Sequence, residues 1–317
     1  MPDVGCAGIL VEDTFCGPMT VLPPEGTLLA LSEMPVKAGG CAANVAIDLA
    51  TQGIAVDVVG CLGRDSAAEF LLSTYESRRV GHSRVVRVDQ HCTSKCIILL
   101  VQGQDRRYLY IAGANQSFTV EHISREWLSK LKVFYLGGLF VLPGIDPDAL
   151  AGLLDYCRTV GVTTVVDVVV PQDVQGMSHL KRLLPLIDVF VPNEDEARVF
   201  TGLTDPVDQL RAFETAGARS VIITCGGRGS VATHAGKRWR CGAYQMNVVD
   251  PSGSGDAFTS GVIRATLSGW DFPKTLSYAS AIGASATRAP GTTDSVFSAA
   301  EAESFVASHP IMVTEGV

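Results

Sequence analysis

Short apolar runs alternate with segments of helical periodicity along most of this chain of 317 residues. Four of these runs are KVFYLGG (132–138), VTTVVDVVV (162–170), IDVFVP (187–192) and SVIITCGG (220–227), and all are rich in Val or Ile. Strands that are buried on both faces have this appearance, and helices between successive strands are typical of parallel sheets. The pattern therefore predicts an α/β fold with three layers, in which helices cover both faces of a mostly parallel sheet.

Two stretches interrupt this alternation. The runs SRVVRVD (83–89), SKCIILLVQ (94–102) and RRYLYIAG (106–113) are strand-like and are joined by short turns, with GQD (103–105) as a hairpin turn. The segment 19–40 is also rich in strand-like residues. Together they predict a small β-sheet beside the main domain, and the pattern alone leaves open whether it is a lid over a cleft or a surface extension.

The composition narrows the possible classes of partner. The formal net charge of −8 argues against a protein that coats nucleic acid or an anionic membrane. The first residues, MPDVGCAGILVED, carry an acidic residue where a signal peptide needs basic ones, and no apolar stretch approaches membrane-spanning length. The nine cysteines include no Cys-x-x-Cys pair, which favours reduced thiols. We therefore expect a cytoplasmic protein with no nucleic-acid and no membrane partner.

The segment VVDPSGSGDAFTSGVIRATLSG (248–269) carries the most specific chemical signal. Gly253, Ser254 and Gly255 lead into Asp256, which opens a long helix. The first N–H groups of a helix have no intrahelical partner, so small residues there can stabilise phosphate oxygens. Asp256 is then either a helix cap or a general base that activates a hydroxyl for attack on a phosphoryl group. Because neither a Walker A loop nor a Gly-x-Gly-x-x-Gly turn after the first strand occurs, phosphate binding would depend on this helix.

Five motifs in order then resemble those of one family. DPSGSGDAF (250–258) resembles the second signature of the ribokinase-like (PfkB) carbohydrate kinases, Asp-Thr-x-Gly-Ala-Gly-Asp-x-Phe. AGGCAANVAIDLATQGIAVDVVGCLGRD (38–65) resembles their first signature, and GAN (113–115), NEDE (193–196) and TCGGRG (224–229) have counterparts. The resemblance covers nearly the whole chain. It implies a single ribokinase-like domain, 1–317, with lid segments near 14–38 and 83–113.

The resemblance also implies an ATP- and Mg²⁺-dependent kinase and assigns residues to four groups. The catalytic group is Asp256 as base, with Gly253, Ser254 and Gly255 as the anion hole. The acceptor-binding group is Asp13, Gly39, Gly40, Asn44 and Asn115. The nucleotide-binding group is Asn193, Thr224, Gly226 and Gly229. The cation-binding group is Glu196, which would hold Mg²⁺ through water, with Asp250 and Ser252 beside a monovalent cation such as K⁺. Without the family pattern, Asn193 and Glu196 would be interpreted as the cap of a helix, and Asp13 as a loop residue that caps a turn.

Departures from the family pattern concern the acceptor. Pro251 replaces the usual Thr and deletes a backbone donor. Cys41 stands where the ribokinase branch often has Lys, and Val11 where that branch commonly has Asn. Asp167 retains an acid in VVDVVVP, but no Arg follows it to bind a substrate phosphate. We therefore expect an unphosphorylated sugar or sugar acid in preference to ribose or a sugar phosphate.

Two other functions remain open. The first is a nucleoside kinase of the same fold, in which Tyr108, Tyr110 and Phe118 would line a purine-sized acceptor pocket, although such aromatic residues can equally pack a sheet. The second is a sugar or nucleotide sensor without catalytic activity, against which the retained Asp256 argues. Edge strands in a lid invite pairing between subunits, so we also predict a homodimer through the lid.

Overall fold

The structure, a computed structural model, describes residues 1–104, 106–171, 174 and 176–316, so Asp105 of the predicted hairpin turn lies outside the described residues. The strands are β1 (Val4–Gly8), β2 (Val11–Met19), β3 (Val36–Gly39), β4 (Val56–Val59), β5 (Cys61–Leu62), β6 (Val86–Arg87), β7 (Lys95–Val101), β8 (Arg107–Ile111), β9 (Val133–Gly137), β10 (Thr163–Val166), β11 (Val189–Phe190), β12 (Ser220–Thr224), β13 (Ser230–His234), β14 (Lys237–Cys241) and β15 (Val313–Glu315). The helices are α1 (Cys41–Thr51), α2 (Ser66–Ser77), α3 (Arg125–Leu128), α4 (Pro147–Thr159), α5 (Glu194–Thr201), α6 (Pro206–Thr215), α7 (Ser254–Leu267), α8 (Phe272–Ala286) and α9 (Ala299–Ser308).

Nine strands form the central sheet in the order β15-β14-β13-β12-β11-β10-β9-β1-β4. The pairs from β4 to β12 are parallel, while β13, β14 and β15 continue the sheet as antiparallel strands at one edge. This arrangement confirms the predicted mostly parallel sheet.

Alternate residues of the buried strands pack into two separate cores. In β9, Val133 and Tyr135 pack in one core with residues of α1, α2, α7 and α8. Their neighbours Phe134 and Leu136 pack in the other core with residues of α3, α4, α5 and α6. Side chains of a strand alternate between the faces of its sheet, so a continuously apolar run supplies both layers. The three-layer prediction is confirmed.

Helices α1 and α7 pack along one another and bring the two signature segments together. Gln52 Nε2, just after α1, donates to Ser260 Oγ of α7 over 2.8 Å. Arg264 Nη1 of α7 donates to the Gln52 carbonyl oxygen over 2.8 Å. These bonds fix the axial register of the two helices, and they place Asn44 of α1 beside Asp256 of α7.

A second sheet of four strands, β3-β2-β7-β8, stands beside the core and is called the lid. Strand β2 pairs parallel to β7, whereas the pairs β2–β3 and β7–β8 are antiparallel. The run 83–89 contributes only β6, which pairs with β5 outside the lid, and residues 20–35 form no strand. None of the described helices combines the length and apolar character that crossing a membrane requires.

Candidate active site

A cleft runs along the carboxyl ends of the parallel strands, where ligands bind in open α/β sheets. Thr224 ends β12, Asn193 follows β11 and Asp167 follows β10, and all three line the cleft. The first turn of α7 forms the opposite wall with Gly253 to Asp256. The sheet therefore brings together motifs that are far apart in the sequence.

Asp256 lies in the first turn of α7 and is partly buried. Its Oδ2 accepts a hydrogen bond from Asn44 Nδ2 over 2.8 Å, and Asn44 Oδ1 in turn accepts one from Thr292 Oγ1 over 2.9 Å. Burial raises the pKa of Asp256 above its ordinary value, while the bonds from Asn44 and Cys41 act in the opposite direction. A carboxylate in this environment is a stronger base than one in water, because it is less well solvated.

A second carboxyl, that of Asp167, shares the cleft with Asp256. Cys41, Asp167 and Asp256 each offer an atom within 4.8 Å of the other two. Asp167 accepts from Tyr135 through the phenol hydroxyl and from the Gly138 N–H over 2.8 Å. Burial and the nearby Asp256 charge raise the pKa of Asp167 to about 8. Two acids so close together repel one another when both are ionised, so a cation or a bound donor would relieve the site.

The predicted anion hole lies at the start of α7. Gly253 caps the helix with φ +75°, and a Cβ at this position would lie 2.4 Å from the Thr292 carbonyl oxygen. Only glycine adopts this left-handed φ without strain and leaves room for the Thr292 carbonyl oxygen. A Cβ at Gly255 would meet nothing within 4 Å, so the space in front of this turn is open. The geometry is that of a helix N-terminus able to receive an anion.

Asp13 and Gly39 meet at the base of the lid. Asp13 of β2 is buried, and a Cβ at Gly39 of β3 would lie 1.8 Å from Asp13 Oδ2. Gly40 then caps α1 with φ +90°. Burial and the Asp256 charge raise the pKa of Asp13 to about 7. The lid strands thus carry a carboxyl group close enough to Asp256 for the two charges to interact.

Asn115 is fully buried and joins three segments. Its Oδ1 accepts from the Leu10 N–H over 3.1 Å, and its Nδ2 donates to the Leu10 carbonyl oxygen over 3.3 Å and to the Tyr110 hydroxyl over 3.2 Å. These bonds hold the end of β8 and the turn after β1 in place. Phe118 is fully buried in the core and stacks on His122.

An apolar slot adjoins the cleft and shares the first turn of α7 with it. Its lining includes Tyr244, Met246, Val248, Phe258 and Ala284. The predicted Thr224, Gly226 and Gly229 line the same slot, together with Ser254 and Gly255. An apolar slot that reaches a helix N-terminus suits a nucleotide base whose phosphates are directed toward the helix.

Asn193 and Glu196 form a capping box at the start of α5, as their spacing in the sequence permits. Asn193 Oδ1 accepts from the Glu196 N–H over 2.9 Å, and Glu196 Oε2 accepts from the Asn193 N–H over 2.8 Å. Burial in the cleft raises the pKa of Glu196 to about 8, with further contributions from Asp167 and Asp256. Glu196 therefore combines a capping role with a position among the acids of the cleft.

Asp250 forms hydrogen bonds to both loops beside the predicted anion hole. Its Oδ1 accepts from the Ser252 N–H over 2.9 Å and from Ser252 Oγ over 2.7 Å, and its Oδ2 accepts from the Gly291 N–H over 3.2 Å. Both of its oxygens are thus used by protein donors.

Sequence reasoning gave no role to Arg106, which lines the cleft from the lid. Arg106 Nη1 donates to Ser252 Oγ over 3.1 Å. No local pattern identifies this contact, because it spans 146 positions. For the same reason, the sequence assigns no role to Thr292, whose hydroxyl donates to Asn44 Oδ1.

Known proteins are similar to this chain over most of its length. The profile described as pfkB family carbohydrate kinase matches residues 6–299. The ATP-dependent 6-phosphofructokinase of Thermoanaerobacterium thermosaccharolyticum is 25% identical over 251 residues, covering 78% of this chain and 77% of that protein. The adenosine kinase of Saccharomyces cerevisiae is 27% identical over 262 residues, covering 77% and 76%.

The solved structure of Arabidopsis thaliana ribokinase complexed with ribose and ATP shares the fold. Its TM-score is 0.83 at 22% sequence identity, over 96% of this chain and 98% of that chain. The predicted ribokinase-like fold is confirmed. The names of the three relatives point to three different acceptors, so the similarity does not fix the acceptor of this chain.

Proposed function

The chain belongs to the pfkB family of carbohydrate kinases, and on this premise we propose that it transfers the γ-phosphate of ATP to a hydroxyl of a small sugar or sugar acid, with Asp256 as the general base. The observation that carries the proposal is the position of Asp256. It lines the same cleft as Gly253–Gly255, and its carboxylate lies within 4.8 Å of atoms of Cys41 and Asp167. A hydroxyl bound in that cleft would face both the base and a phosphoryl group held at the helix.

The proposed reaction is an in-line displacement. Asp256 accepts the proton of the acceptor hydroxyl while its oxygen bonds to the γ-phosphorus, and the bond from the γ-phosphorus to the bridging oxygen breaks to release ADP. The N–H groups at the start of α7 stabilise the charge on the transferring group. Asn44 holds the Asp256 carboxylate in place through its 2.8 Å hydrogen bond. Asp13, Gly39, Gly40 and Asn115 are proposed to shape the acceptor pocket.

The acids of the cleft fit a divalent cation. Burial and the nearby Asp256 charge raise the pKa values of Glu196 and Asp167 to about 8, and a positive charge would stabilise carboxylates in this environment. We propose that Glu196 holds Mg²⁺ through water, with Asn193 beside it. When bound, Mg²⁺ supplies positive charge to the nucleotide phosphates.

A monovalent cation such as K⁺ is proposed next to the anion hole. Carbonyl oxygens of residues 250–252 and of the loop at Gly291 would hold it, and Asp250 supports the proposal because it ties these two loops together. Activity in K⁺ should then exceed activity in tetramethylammonium at equal ionic strength, and equal rates would remove the site.

The lid supports a homodimer. Its outer face carries a row of residues in register across the sheet, Val36–Thr14–Ile97–Leu109. Of these, Val36 is 40%, Ile97 39% and Leu109 58% exposed. Strand β8 is exposed along its whole length at the sheet edge. We propose that a second copy of the chain covers this row.

A nucleoside kinase is the second candidate. Its supporting observation is that Tyr108 and Tyr110 of β8 lie on the lid, Tyr108 lining the cleft and Tyr110 bonded to Asn115. Aromatic side chains in that place could stack on a base. The adenosine kinase of yeast is among the relatives.

The deciding experiment is ADP release from MgATP over a panel of sugars, sugar acids, sugar phosphates and nucleosides. Turnover on a sugar or sugar acid that falls by about a hundredfold to ten-thousandfold in Asp256→Asn supports the proposal, since this is the usual contribution of a general base. Turnover on nucleosides alone selects the second candidate. Near-normal turnover of Asp256→Asn removes the base assignment, and binding of ATP without any transfer identifies a sensor.

A further inference from the structure

Arg106 lines the cleft from the lid side. It lies just before β8 and lines the cleft together with Asn193, Glu196 and the first turn of α7. Its Nη1 donates to Ser252 Oγ over 3.1 Å. Ser252 directly precedes Gly253, the cap of α7, so the arginine is attached at the rim of the anion hole.

The hydroxyl of Ser252 is arranged to accept from Arg106. Ser252 Oγ donates its proton to Asp250 Oδ1 over 2.7 Å, and the same oxygen of Asp250 receives the Ser252 N–H over 2.9 Å. A hydroxyl whose proton is used in this way presents its lone pairs to other donors. The contact between lid and core therefore has a defined polarity, with the guanidinium as donor.

Arg106 also supplies the positive charge of an otherwise acidic cleft. Among the described lining residues, the carboxyl groups belong to Asp167, Glu194, Asp195, Glu196 and Asp256, and Arg106 is the one cation. Glu194 and Asp195 form ion pairs with Arg228 and Arg198 outside this lining. An anionic phosphoryl group bound in this cleft would lie among Asp167, Glu196 and Asp256, and a cation on the lid would offset part of their repulsion.

We propose that the lid delivers Arg106 to the transferring phosphoryl group, so that closure of the lid over the acceptor completes the charge stabilisation of the transfer. The inference rests on the proposed phosphotransfer. A planar guanidinium can bond a hydroxyl and a phosphate oxygen at once, so Arg106 can keep Ser252 while it contacts the transferring group. Arg106 stays protonated throughout. The hydroxyl proton goes to Asp256, and the bond that breaks is that between the γ-phosphorus and ADP.

The test compares Arg106→Ala and Arg106→Lys with Arg107→Ala. Arg107 is the matched control, because it is the next residue, is exposed and donates to the Gln104 side chain on the lid. We expect Arg106→Ala to lower kcat by about a hundredfold to a thousandfold, the usual cost of losing one donor to a developing charge, while Arg107→Ala stays near the wild type. Guanidinium ion at millimolar concentration should restore part of the lost rate in Arg106→Ala, and methylammonium should not. Arg106→Lys should retain an intermediate rate.

A binding measurement tests the same contact without any acceptor. Aluminium fluoride with MgADP imitates the planar phosphoryl group, and calorimetry should show that it tightens MgADP binding in the wild type and in Arg107→Ala but not in Arg106→Ala. Equal tightening in all three proteins, or none in the wild type, overturns the role of Arg106. Absence of transfer to every acceptor would instead overturn the proposed kinase activity, so the two failures are distinguishable.

Discussion

Asn44 Nδ2 lies 2.8 Å from Asp256 Oδ2, and this hydrogen bond joins residues that are 212 positions apart. It connects the first signature segment to the second. Asn44 Oδ1 is itself held by Thr292 Oγ1, so the amide group has one orientation in which its NH₂ faces the carboxylate. The Asp256 carboxylate is therefore positioned by α1 as well as by its own helix.

The pH dependence of turnover should report on this bond. Burial raises the pKa of Asp256, so activity should fall on the acid side at a pH above the ordinary aspartate value of 3.8. The bond from Asn44 favours the charged form, and Asn44→Ala removes it. The pKa of Asp256 should rise further, and the acid limb of kcat/KM should move to higher pH in that variant.

Gln52→Ala is the matched control for Asn44. Gln52 lies two turns further along the same helix face and bonds to Ser260 of α7, with no contact to the base. The Gln52→Ala variant should have lower thermal stability than the wild type, but the acid limb of its kcat/KM profile should not move. An unchanged limb in Asn44→Ala would show that this bond does not tune the base.

Alanine substitutions of the two glycines in the proposed anion hole should affect different properties, folding stability in one case and kcat/KM in the other. Gly253→Ala requires a left-handed backbone and puts a Cβ 2.4 Å from the Thr292 carbonyl oxygen, so we expect it to lose about 1–3 kcal/mol of folding stability. Gly255→Ala has room for its Cβ and should fold with unchanged stability. Its methyl group would occupy the space in front of the helix start, and kcat/KM for ATP should fall by about a hundredfold.

Urea unfolding and steady-state kinetics on both variants separate these effects. If Gly255→Ala keeps wild-type kcat/KM, the phosphates do not bind at this turn. If Gly253→Ala is as stable as the wild type, the contact between its Cβ and the Thr292 carbonyl oxygen does not destabilise the fold.

The fold and the helix start at Asp256 could both be predicted from the sequence, because both depend on local patterns. Continuous Val- and Ile-rich runs identify strands buried on two faces, and the small residues before Asp256 identify an open helix start. Contacts between distant segments could not be predicted in the same way. The bond between Arg106 and Ser252 depends on how the lid is placed over the core, and the bonds of the Asn115 amide to the Leu10 backbone join residues 105 positions apart.

The lid also differs in detail from its predicted segments. The run 83–89 has strand-like composition, but it contributes only β6, which pairs with β5. Residues 20–35 have the composition of strands and form none. Strand propensity describes a residue that fits a half-buried pleated surface, and whether a partner strand is available is decided by the rest of the fold.

Disruption of the apolar row on the lid should dissociate the proposed dimer. Leu109→Glu places a charge at its most exposed member, which is 58% exposed in the single chain. A charge buried between two lids would be costly, so we expect the sedimentation coefficient to fall from that of a dimer to that of a monomer. Leu203→Glu is the matched control, since Leu203 is 39% exposed on the core and far in sequence from the lid. A wild-type protein that sediments as a monomer would contradict the proposal.

Asp48 should make the protein less stable as the pH rises. It is fully buried on α1, between Asn44 and Gln52 on the face that meets α7, and neither of its carboxyl oxygens has a hydrogen-bond partner among the described residues. Burial, with a contribution from Asp256, raises the pKa of Asp48 well above its ordinary value of 3.8. The folded state therefore holds the proton more tightly than the unfolded state. The stability that the proton contributes is complete below pH 3.8 and is lost as the pH increases, by up to about 1.4 kcal/mol per pH unit.

Asp48→Asn removes this titration and should be increasingly more stable than the wild type between pH 5 and pH 8. Urea unfolding at several pH values measures the difference, and subtraction of the two proteins cancels the other buried acids, Asp13, Asp167 and Glu196, which titrate in the same direction. Asp155→Asn on the exposed side of α4 is the control for the Asp-to-Asn substitution itself. A stability difference between Asp48→Asn and the wild type that is the same at every pH would mean that Asp48 has the same proton affinity in the folded and unfolded states, so that its burial against α7 does not carry the cost inferred from its missing partners.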